Sequence, residues 1–570
     1  MESKDISYRR ESYGRGRERI AALVLLAALA LLAVLALAVP QGAEQATGTE
    51  YLLAANAKHE RTPVGSLIDI EDAWALEDER SEAEAPLVRS LFNGESALGY
   101  DAGSDTFYCT LGMESGQDWP ELALSVQDAP GVSVVWIDDY AYDFCDEAIA
   151  EGYRYELLAY TDTEYAYFGM VFTGLPIVSW HTYEADTPIG REYVQGHASV
   201  SATGYDAINS AAQIHERGSG FGRPIEKHAY RLEFHEMSRK GRDRTSDVGV
   251  LGMEPDSDWL LVSNPVDKTV LSNHLCWEMW NMWTEGEVVP CRLNSEMIEL
   301  FVNDEYMGMY ELLQCVRVED ELERVGGNLS TDCVYKPIKR PDYTVGERPI
   351  LDYSDTIYAR IEVRYAPESF SEERVIETFE NYEQLELMLV PPLPDEEFIE
   401  LAQSVVDVRQ VVSYYLFFQV CQLPEDNVNN NRYIWMIREG DGYRMMITPW
   451  DMDFGLGKKD EDDKPDCIYI GMPMEERLLT LNVNNSREIL WSIWNEKKNT
   501  LLTEEALYAW IRGKEEYINA SGAYLRETER WYGEAETLDL ASLYENELEY
   551  INTIELYLKE LWPLETQEGE

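Results

Sequence analysis

Two polar segments in the second half of the chain carry the residue types that phosphoryl transfer requires. Asp426 opens an Asn-rich run that ends at Asn431, and a Pro-Trp-Asp-Met-Asp segment contains Asp451 and Asp453. Magnesium prefers hard oxygen ligands, and a separate carboxylate can orient an attacking hydroxyl and accept its proton. The pattern predicts Asp426 as the catalytic base. Asn431 and Asp451 are predicted metal ligands, together with Asp453.

Each of these Asp residues has a structural alternative, because Asp often caps a turn. The two segments as a whole are harder to explain in that way, since they flank a predicted pair of hydrophobic strands where buried polar groups need partners. A metal-dependent hydrolase built on the same carboxylates is a further alternative. It is weaker because none of the seven histidines lies between residues 426 and 455.

A glycine-rich segment upstream is a candidate phosphate-binding turn. Arg217 precedes Gly218, Gly220 and Gly222, and Lys227 follows on the next predicted strand. Glycines let backbone amides approach an anion closely, and a nearby lysine neutralises phosphate charge. Such turns are common, so the segment indicates phosphate binding only in combination with the acidic segments. We predict cofactor-binding roles for Arg217, Gly218, Gly220 and Lys227.

Between these segments the sequence predicts the elements that must position them. A turn at Asn303 and Asp304 separates two apolar strands and predicts a hairpin. A structural role is favoured for this hairpin, in which Gly308 would relieve a crowded strand. Residues 268–283 and 408–422 have helical length and apolar content.

The charge of the chain limits the partners that it can bind. The 570 residues include 47 basic and 107 acidic side chains, which gives a net charge of −60. A surface this negative repels nucleic acid and favours cationic partners. We therefore predict a protein substrate with cationic character and no nucleic-acid binding. The favoured explanation of the acidity itself is that it mainly keeps the protein soluble, and the sequence does not indicate an oligomeric state.

The N-terminal segment predicts a membrane anchor. A basic tail at residues 1–19 precedes an apolar run at residues 20–39, and about 20 apolar residues can cross a bilayer. The positive-inside rule places the tail in the cytoplasm and the bulk of the chain outside. This predicts a single-pass protein of the cell membrane with a signal-anchor. The alternative is a cleaved signal peptide, since residues 36–38 have the form of a cleavage site, and the protein would then be secreted.

The remaining chain divides into four predicted regions. Residues 40–85 form an acidic spacer, and residues 86–185 form a small antiparallel β-domain of short β-branched and aromatic strands. Residues 190–484 mix strands and helices and contain the candidate catalytic segments. Residues 485–570 are predicted to be helical. The predicted fold class is α+β, with a transmembrane helix at the N-terminus.

Taken in order along the chain, these patterns resemble the CotH (spore coat protein H) kinase family of atypical secreted or spore-associated protein kinases. The matching positions fall in about residues 195–457. They are Arg217, Gly218, Lys227 and Tyr230; Asp258, Trp259 and Leu261; Asn303, Tyr306, Gly308 and Tyr310; Asp426, Asn431 and Tyr433; and Pro449, Trp450, Asp451 and Asp453.

The resemblance implies a reduced protein-kinase-like domain at residues 190–484. Such a domain would bind ATP with Mg²⁺ or Mn²⁺ and phosphorylate protein hydroxyls. By position, Lys227 would contact the ATP phosphates, Asp426 would be the base and Asp451 would hold the metal. Asn431 would be a second metal ligand or would orient Asp426. The triplet that begins at Asp453 reads Asp-Phe-Gly, as in kinases, but the principal ligand is placed at Asp451 because family members usually retain the first Asp of Trp-Asp-x-Asp.

Two positions depart from the family pattern. The family usually has paired lysines before Tyr230, where this chain has Lys227 and His228. It also tends to have a Glu after the hairpin, where this chain has Gln314. The alternative function is therefore a catalytically inactive kinase-like scaffold or adhesion protein at the cell surface, in which the β-domain binds a ligand.

Overall fold

The structure is a computed structural model that describes most of the chain between residues 60 and 564. The described residues are 60–113, 116, 122–138, 142, 144–184, 187–218, 226–236, 244–337, 361–386, 393–424, 428, 431–457 and 468–564. All of them belong to one compact unit.

The N-terminal part of the described chain consists of two sheets. Its elements are β1 (Arg61–Pro63), β2 (Leu67–Asp69), α1 (Ile70–Asp78), β3 (Ser81–Glu82), β4 (Leu91–Asn93), β5 (Ser96–Ala97), β6 (Gly99–Asp101), β7 (Thr106–Thr110), β8 (Leu124–Gln127), β9 (Ser133–Asp138), α2 (Cys145–Ile149), β10 (Arg154–Tyr160) and β11 (Glu164–Thr173). One sheet has the order β1-β8-β4-β5 and the other β2-β9-β10-β11-β7-β6, with β3 beside β11. Their shared core includes Phe107, Trp136 and Phe172.

The prediction of an antiparallel β-domain is wrong for the second of these sheets. β10 pairs antiparallel with β9 and β11, but β7 and β11 are parallel, and so are β2 and β9. The alternation of side chains along a strand is the same in both arrangements, so the pattern of residues does not reveal strand direction. The sheet is therefore mixed.

A second sheet system follows, and it contains Arg217, the residue at which the glycine-rich segment begins. Its elements are β12 (Ile177–Thr182), β13 (Val194–Ser201), β14 (Ile208–Arg217), β15 (Ala229–Glu236), β16 (Arg244–Thr245), β17 (Asp258–Val262), α3 (Ser272–Trp283), β18 (Ser295–Val302) and β19 (Glu305–Gln314). The strand order is β14-β13-β12-β18-β19-β17-β15-β16, and β14 also pairs with β15, so the sheet closes on itself. Trp180, Trp259 and Tyr310 lie in the core that it encloses.

The predicted hairpin is confirmed as β18 and β19. Asn303 and Asp304 both have positive φ, at 51° and 61°, which is the geometry of a two-residue turn between twisted strands. The hairpin also contacts the N-terminal sheets, because the ring of Tyr306 stacks on that of Tyr108 with centroids 5.3 Å apart. The hairpin therefore joins two parts of the compact unit.

The C-terminal part combines a four-stranded sheet with helices. Its elements are α4 (Val318–Arg324), β20 (Cys333–Pro337), β21 (Ile361–Tyr365), α5 (Glu372–Leu385), α6 (Asp395–Val405), α7 (Val408–Val420), β22 (Arg432–Glu439), β23 (Gly442–Pro449), α8 (Pro473–Thr480), a 3₁₀ turn (Val483–Asn485), α9 (Ser486–Lys498), α10 (Glu504–Ala520), α11 (Ala523–Tyr532) and α12 (Ala541–Leu561). The sheet order is β21-β20-β22-β23. The α+β class, the helical C-terminal region and the predicted helices now seen as α3 and α7 are confirmed.

The predicted transmembrane helix, and with it the single-pass membrane location, is contradicted. Among the described residues, no helix combines the length and the apolar character that crossing a bilayer requires. The helix α12 has 21 residues, but charged side chains such as Glu547, Glu555 and Lys559 recur along it. Residues 20–39, where the span was predicted, lie outside the described residues.

Candidate active site

The segment after β23 places two carboxylates side by side. Asp451 has φ of 55°, a left-handed conformation that Asp tolerates better than most residues. Its side chain lies within hydrogen-bonding reach of that of Asp453. Burial, together with the charge of Asp451, raises the pKa of Asp453 well above its usual range. Two adjacent carboxylates cannot both ionise without a compensating charge, so this pair calls for a proton or a cation.

Asn273 on α3 holds this loop against the closed sheet. The backbone N–H of Met452 donates to Oδ1 of Asn273 at 2.8 Å. The Nδ2 group of Asn273 donates to Oε2 of Glu311 on β19 at 2.6 Å. Both Asn273 and Glu311 are buried, so these bonds are shielded from water. One side chain therefore fixes the carboxylate loop relative to the sheet that contains Arg217.

Asn431 lies beside the same loop, as predicted for a residue that acts with Asp451. Its carbonyl accepts a hydrogen bond from the N–H of Trp450 at 3.0 Å, and its Nδ2 group donates to the carbonyl of Asp451 at 3.4 Å. The structure thus brings Asn431, Asp451 and Asp453 together. The predicted base, Asp426, lies outside the described residues.

Gly455 has a packing reason for being glycine. A Cβ atom at this position would lie 2.4 Å from Sγ of Cys276 on α3 and 3.1 Å from the carbonyl oxygen of Met452. Such contacts are far inside van der Waals distance, so a larger residue would push the loop off the helix. The third residue of the Asp-Phe-Gly triplet therefore lets the loop approach α3 closely.

Arg217, at the end of β14, faces the carboxylate pair. Its positive charge opposes the upward shift in the pKa of Asp453. The next residue, Gly218, has φ of 82°, which only glycine adopts without strain. The structure thus brings Arg217, with Gly218 beside it, near the predicted metal ligands. Gly220 lies outside the described residues.

Lys227 pairs with a carboxylate that is not one of the predicted site residues. Its side chain is fully buried and its Nζ lies 2.5 Å from Oε1 of Glu527 on α11 and 2.7 Å from the carbonyl of Met309. Burial lowers the pKa of Lys227, and the carboxylate of Glu527 opposes this shift. Burial likewise raises the pKa of Glu527, with Lys227 opposing. The amine and the carboxylate therefore compensate each other inside the protein.

Lys336, a further cation near the carboxylate pair, was not predicted from the sequence. Lys336 lies on β20 and is half-buried. Burial lowers its pKa, while the charge of Asp451 opposes that shift and the charge of Arg217 adds to it. It therefore lies near two predicted site residues. A lysine within the otherwise buried strand β20 is a signal that could have identified it.

Gln314, where the family tends to have Glu, has two structural contacts. Its Oε1 accepts from the N–H of Asn294 at 3.0 Å, and its Nε2 donates to the carbonyl of Glu254 at 3.4 Å. A carboxylate could accept the first of these bonds but could not donate the second. The amide at this position therefore connects two loops beside the closed sheet.

The carboxylate pair and the adjacent Asn are suitable ligands for a hard divalent cation. No group of three or more His, Cys, Asp and Glu side chains that could hold a metal is present in the described part of the chain. Magnesium, however, is commonly held by one or two carboxylates, with substrate phosphates and water completing the coordination. Asp451 and Asp453 meet that requirement, and the need of the pair for a compensating charge fits a cation.

Comparison with known proteins shows the family of the chain. A search among curated proteins finds no match to the chain. Among protein families, the one described as CotH kinase protein matches residues 214–555. The match covers more than half of the chain, begins in β14, includes the carboxylate loop and ends in α12. The chain belongs to the CotH kinase family.

Proposed function

We propose that this protein is an ATP- and divalent-metal-dependent protein kinase that phosphorylates hydroxyl groups of protein side chains. The observation that carries the proposal is the pairing of the Asp451 and Asp453 carboxylates next to Arg217. An adjacent pair of carboxylates, with the positive charge of Arg217 acting on it, suits a metal-bound triphosphate. Family membership gives the proposal its reaction class.

In the proposed reaction, the chain mainly positions the reactants. Asp451 and Asp453 hold the metal with Asn431, and a bound Mg²⁺ or Mn²⁺ supplies charge that neutralises the phosphate oxygens. Asp426 orients the substrate hydroxyl and accepts its proton. The hydroxyl oxygen then bonds to the γ-phosphorus, the bond to the β,γ-bridging oxygen breaks, and ADP leaves.

The charge of the protein favours substrates with basic segments. With 107 acidic and 47 basic side chains, the chain attracts cationic polypeptides over long distances at low salt. Phosphorylation of such a substrate adds negative charge and weakens that attraction, which favours release of the product. A basic protein is therefore the substrate to test first.

A second candidate function is a kinase-like scaffold without catalytic activity. Two observations favour it: Lys227 is fully buried, and Gln314 replaces a carboxylate of the family pattern. In this case the protein would keep the fold of the family without phosphoryl transfer. Nucleotide binding and phosphoryl transfer must therefore be measured separately.

The test measures transfer of the γ-phosphoryl group by the full-length chain to itself and to a basic protein. Wild type is expected to incorporate label with Mg²⁺ or Mn²⁺ and to lose activity in EDTA. Asp451→Asn and Asp426→Asn are expected to abolish incorporation. Asp441→Asn is the matched control, because Asp441 is an exposed residue in the turn between β22 and β23. Binding of ATP without transfer would support an inactive kinase-like protein, and no binding of ATP would exclude the kinase and leave the scaffold.

A further inference from the structure

Four cations interact electrostatically in the part of the structure that contains the carboxylate pair. Arg217 and Arg231 come from the closed sheet, and Lys336 and Arg364 come from β20 and β21. Arg217 and Arg364 both repel the charge of Lys336, and Arg231 repels that of Arg364. Basic residues are outnumbered by acidic ones in this chain, 47 to 107, so such a group marks an anion-binding surface.

Two of these cations already have carboxylate partners. The Nε of Arg231 lies 2.7 Å from Oδ1 of Asp258, and Nη1 of Arg364 lies 2.6 Å from Oε1 of Glu362. The side chain of Lys336, in contrast, makes no hydrogen bond or ion pair with any residue that the structure describes. A bound anion would give this half-buried ammonium group the direct hydrogen-bond partner that it lacks among the described residues.

The strand β20 directs Lys336 away from the protein core. Its neighbour Tyr335 is buried and its hydroxyl reaches the carbonyl of Val375 on α5 at 3.2 Å. Successive side chains of a strand point to opposite faces, so Lys336 lies on the other face of the sheet. Its strand partner on that face is Glu362 on β21. Lys336 thus lies on the face of the sheet away from Tyr335, within the electrostatic influence of Asp451.

Lys227, unlike Lys336, is not accessible to a nucleotide phosphate. Its Nζ is bound by Glu527 and by the carbonyl of Met309, and it lies over the ring of Tyr310 at 4.9 Å from the centroid. The side chain has no solvent exposure. A phosphate could reach it only by displacing Glu527, which would leave a carboxylate buried without its cation.

We propose that Lys336, rather than Lys227, contacts the phosphates of the nucleotide in this protein. The inference rests on the proposed kinase function and assigns one of its contacts. Lys336 would donate to a phosphate oxygen, and Asp451 and Asp453 would hold the metal. Lys227 would instead be a structural residue that fixes α11 to the closed sheet.

The test measures binding of MgATP to the full-length chain by titration calorimetry, together with thermal stability. Lys336→Met is expected to raise Kd at least about tenfold without lowering the unfolding temperature, because a hydrogen bond to a charged group is lost. Lys336→Arg should retain most of the affinity. Lys227→Met should unfold at a lower temperature yet bind MgATP normally while folded. Lys559→Met, at an exposed lysine near the end of α12, is the matched control.

A second measurement needs no variant. Amine acetylation of the wild-type protein, read by mass spectrometry, is expected to label Lys336, and MgATP should protect it. Lys227 should be unlabelled with or without nucleotide. Unchanged affinity in Lys336→Met, or no protection of Lys336 when wild type binds MgATP, would overturn this inference and leave the kinase function standing. No binding of MgATP by wild type would instead overturn the proposed function and the inference with it.

Discussion

The Nζ atom of Lys227 lies 2.5 Å from Oε1 of Glu527, a residue 300 positions later in the chain. Both side chains are buried. The same carboxylate accepts the backbone N–H of Met309 at 2.7 Å, so it also binds the hairpin strand β19. Next to it, Arg526 makes a two-pronged contact with buried Glu299 at 2.9 Å. Consecutive residues of α11 thus attach the helical C-terminal region to the closed sheet through two buried ion pairs.

Breaking the pair from one side is expected to destabilise the protein strongly. Lys227→Met should lower the free energy of unfolding by about 3–5 kcal/mol, because it leaves Glu527 buried without its cation. Lys227→Met combined with Glu527→Leu should recover part of that loss, since no charge then stays buried. Urea denaturation of the two single variants and the double variant measures the coupling. If the losses of unfolding free energy in the two single variants add up to the loss in the double variant, the two side chains do not depend on each other.

Glu527 also explains the glycine of the hairpin motif. Gly308 has φ of 88°, and a Cβ atom there would lie 2.1 Å from Oε2 of Glu527. Gly308→Ala is therefore expected to cost about 2–5 kcal/mol of stability, from overpacking and backbone strain together. Gly440→Ala is the control, because Gly440 has φ of 58° but open space around it. If both variants lose the same stability, the backbone conformation alone accounts for the glycine.

Contacts between residues that are close in sequence could be predicted. Contacts between residues that are brought together by long-range pairing could not. The hairpin at Asn303 and Asp304 follows from a local turn signal and two apolar strands. The grouping of Asn431 with Asp451 follows because one hairpin, β22 and β23, separates them. The predicted crowding at Gly308 was right, but the carboxylate that causes it belongs to α11.

Lys336 shows why part of the site escaped prediction. Its strand β20 pairs with β22, which lies about a hundred residues later, and only this pairing places the lysine near Asp451. Glu527 is separated from Lys227 by even more of the chain, and its helix has no feature that marks one Glu among many. Loop closure over such distances is governed by the whole fold, so local pattern carries no information about it.

Asn273 is expected to position the carboxylate loop for catalysis. Asn273→Ala removes the acceptor for the N–H of Met452 and the donor to Glu311, so phosphoryl transfer should fall by about ten- to a hundredfold through misplacement of the loop. Asn281→Ala is the matched control, because Asn281 is on the same helix and donates to the carbonyl of Leu293. Rates of transfer at saturating MgATP test this, and equal losses in both variants would point to general destabilisation of α3.

Glu547 on α12 should make the stability of the protein depend on pH. Burial raises the pKa of Glu547 to about 8, and its one hydrogen bond from Nε2 of Gln422, at 2.8 Å, opposes this shift only weakly. A folded-state pKa above the unfolded value means that the folded protein binds the proton more tightly. The stabilisation that protonated Glu547 gives the folded protein is therefore complete at pH values below the pKa of Glu in the unfolded chain. It is lost as the pH rises towards the pKa of Glu547 in the folded protein.

As the pH rises from about 5 to about 8, the unfolding temperature of wild type is accordingly expected to decrease. Above about pH 8, the ionisation of Glu547 should cause no further decrease. Glu547→Gln keeps the size and an amide that can pair with Gln422, but it cannot ionise, so it should remove this part of the pH dependence. Glu549→Gln is the control, because Glu549 lies on the same helix and is not buried. If the Glu547→Gln and wild-type profiles stay parallel over this range, Glu547 ionises in the folded protein as readily as in the unfolded chain, and the helix α12 must admit water beside Gln422.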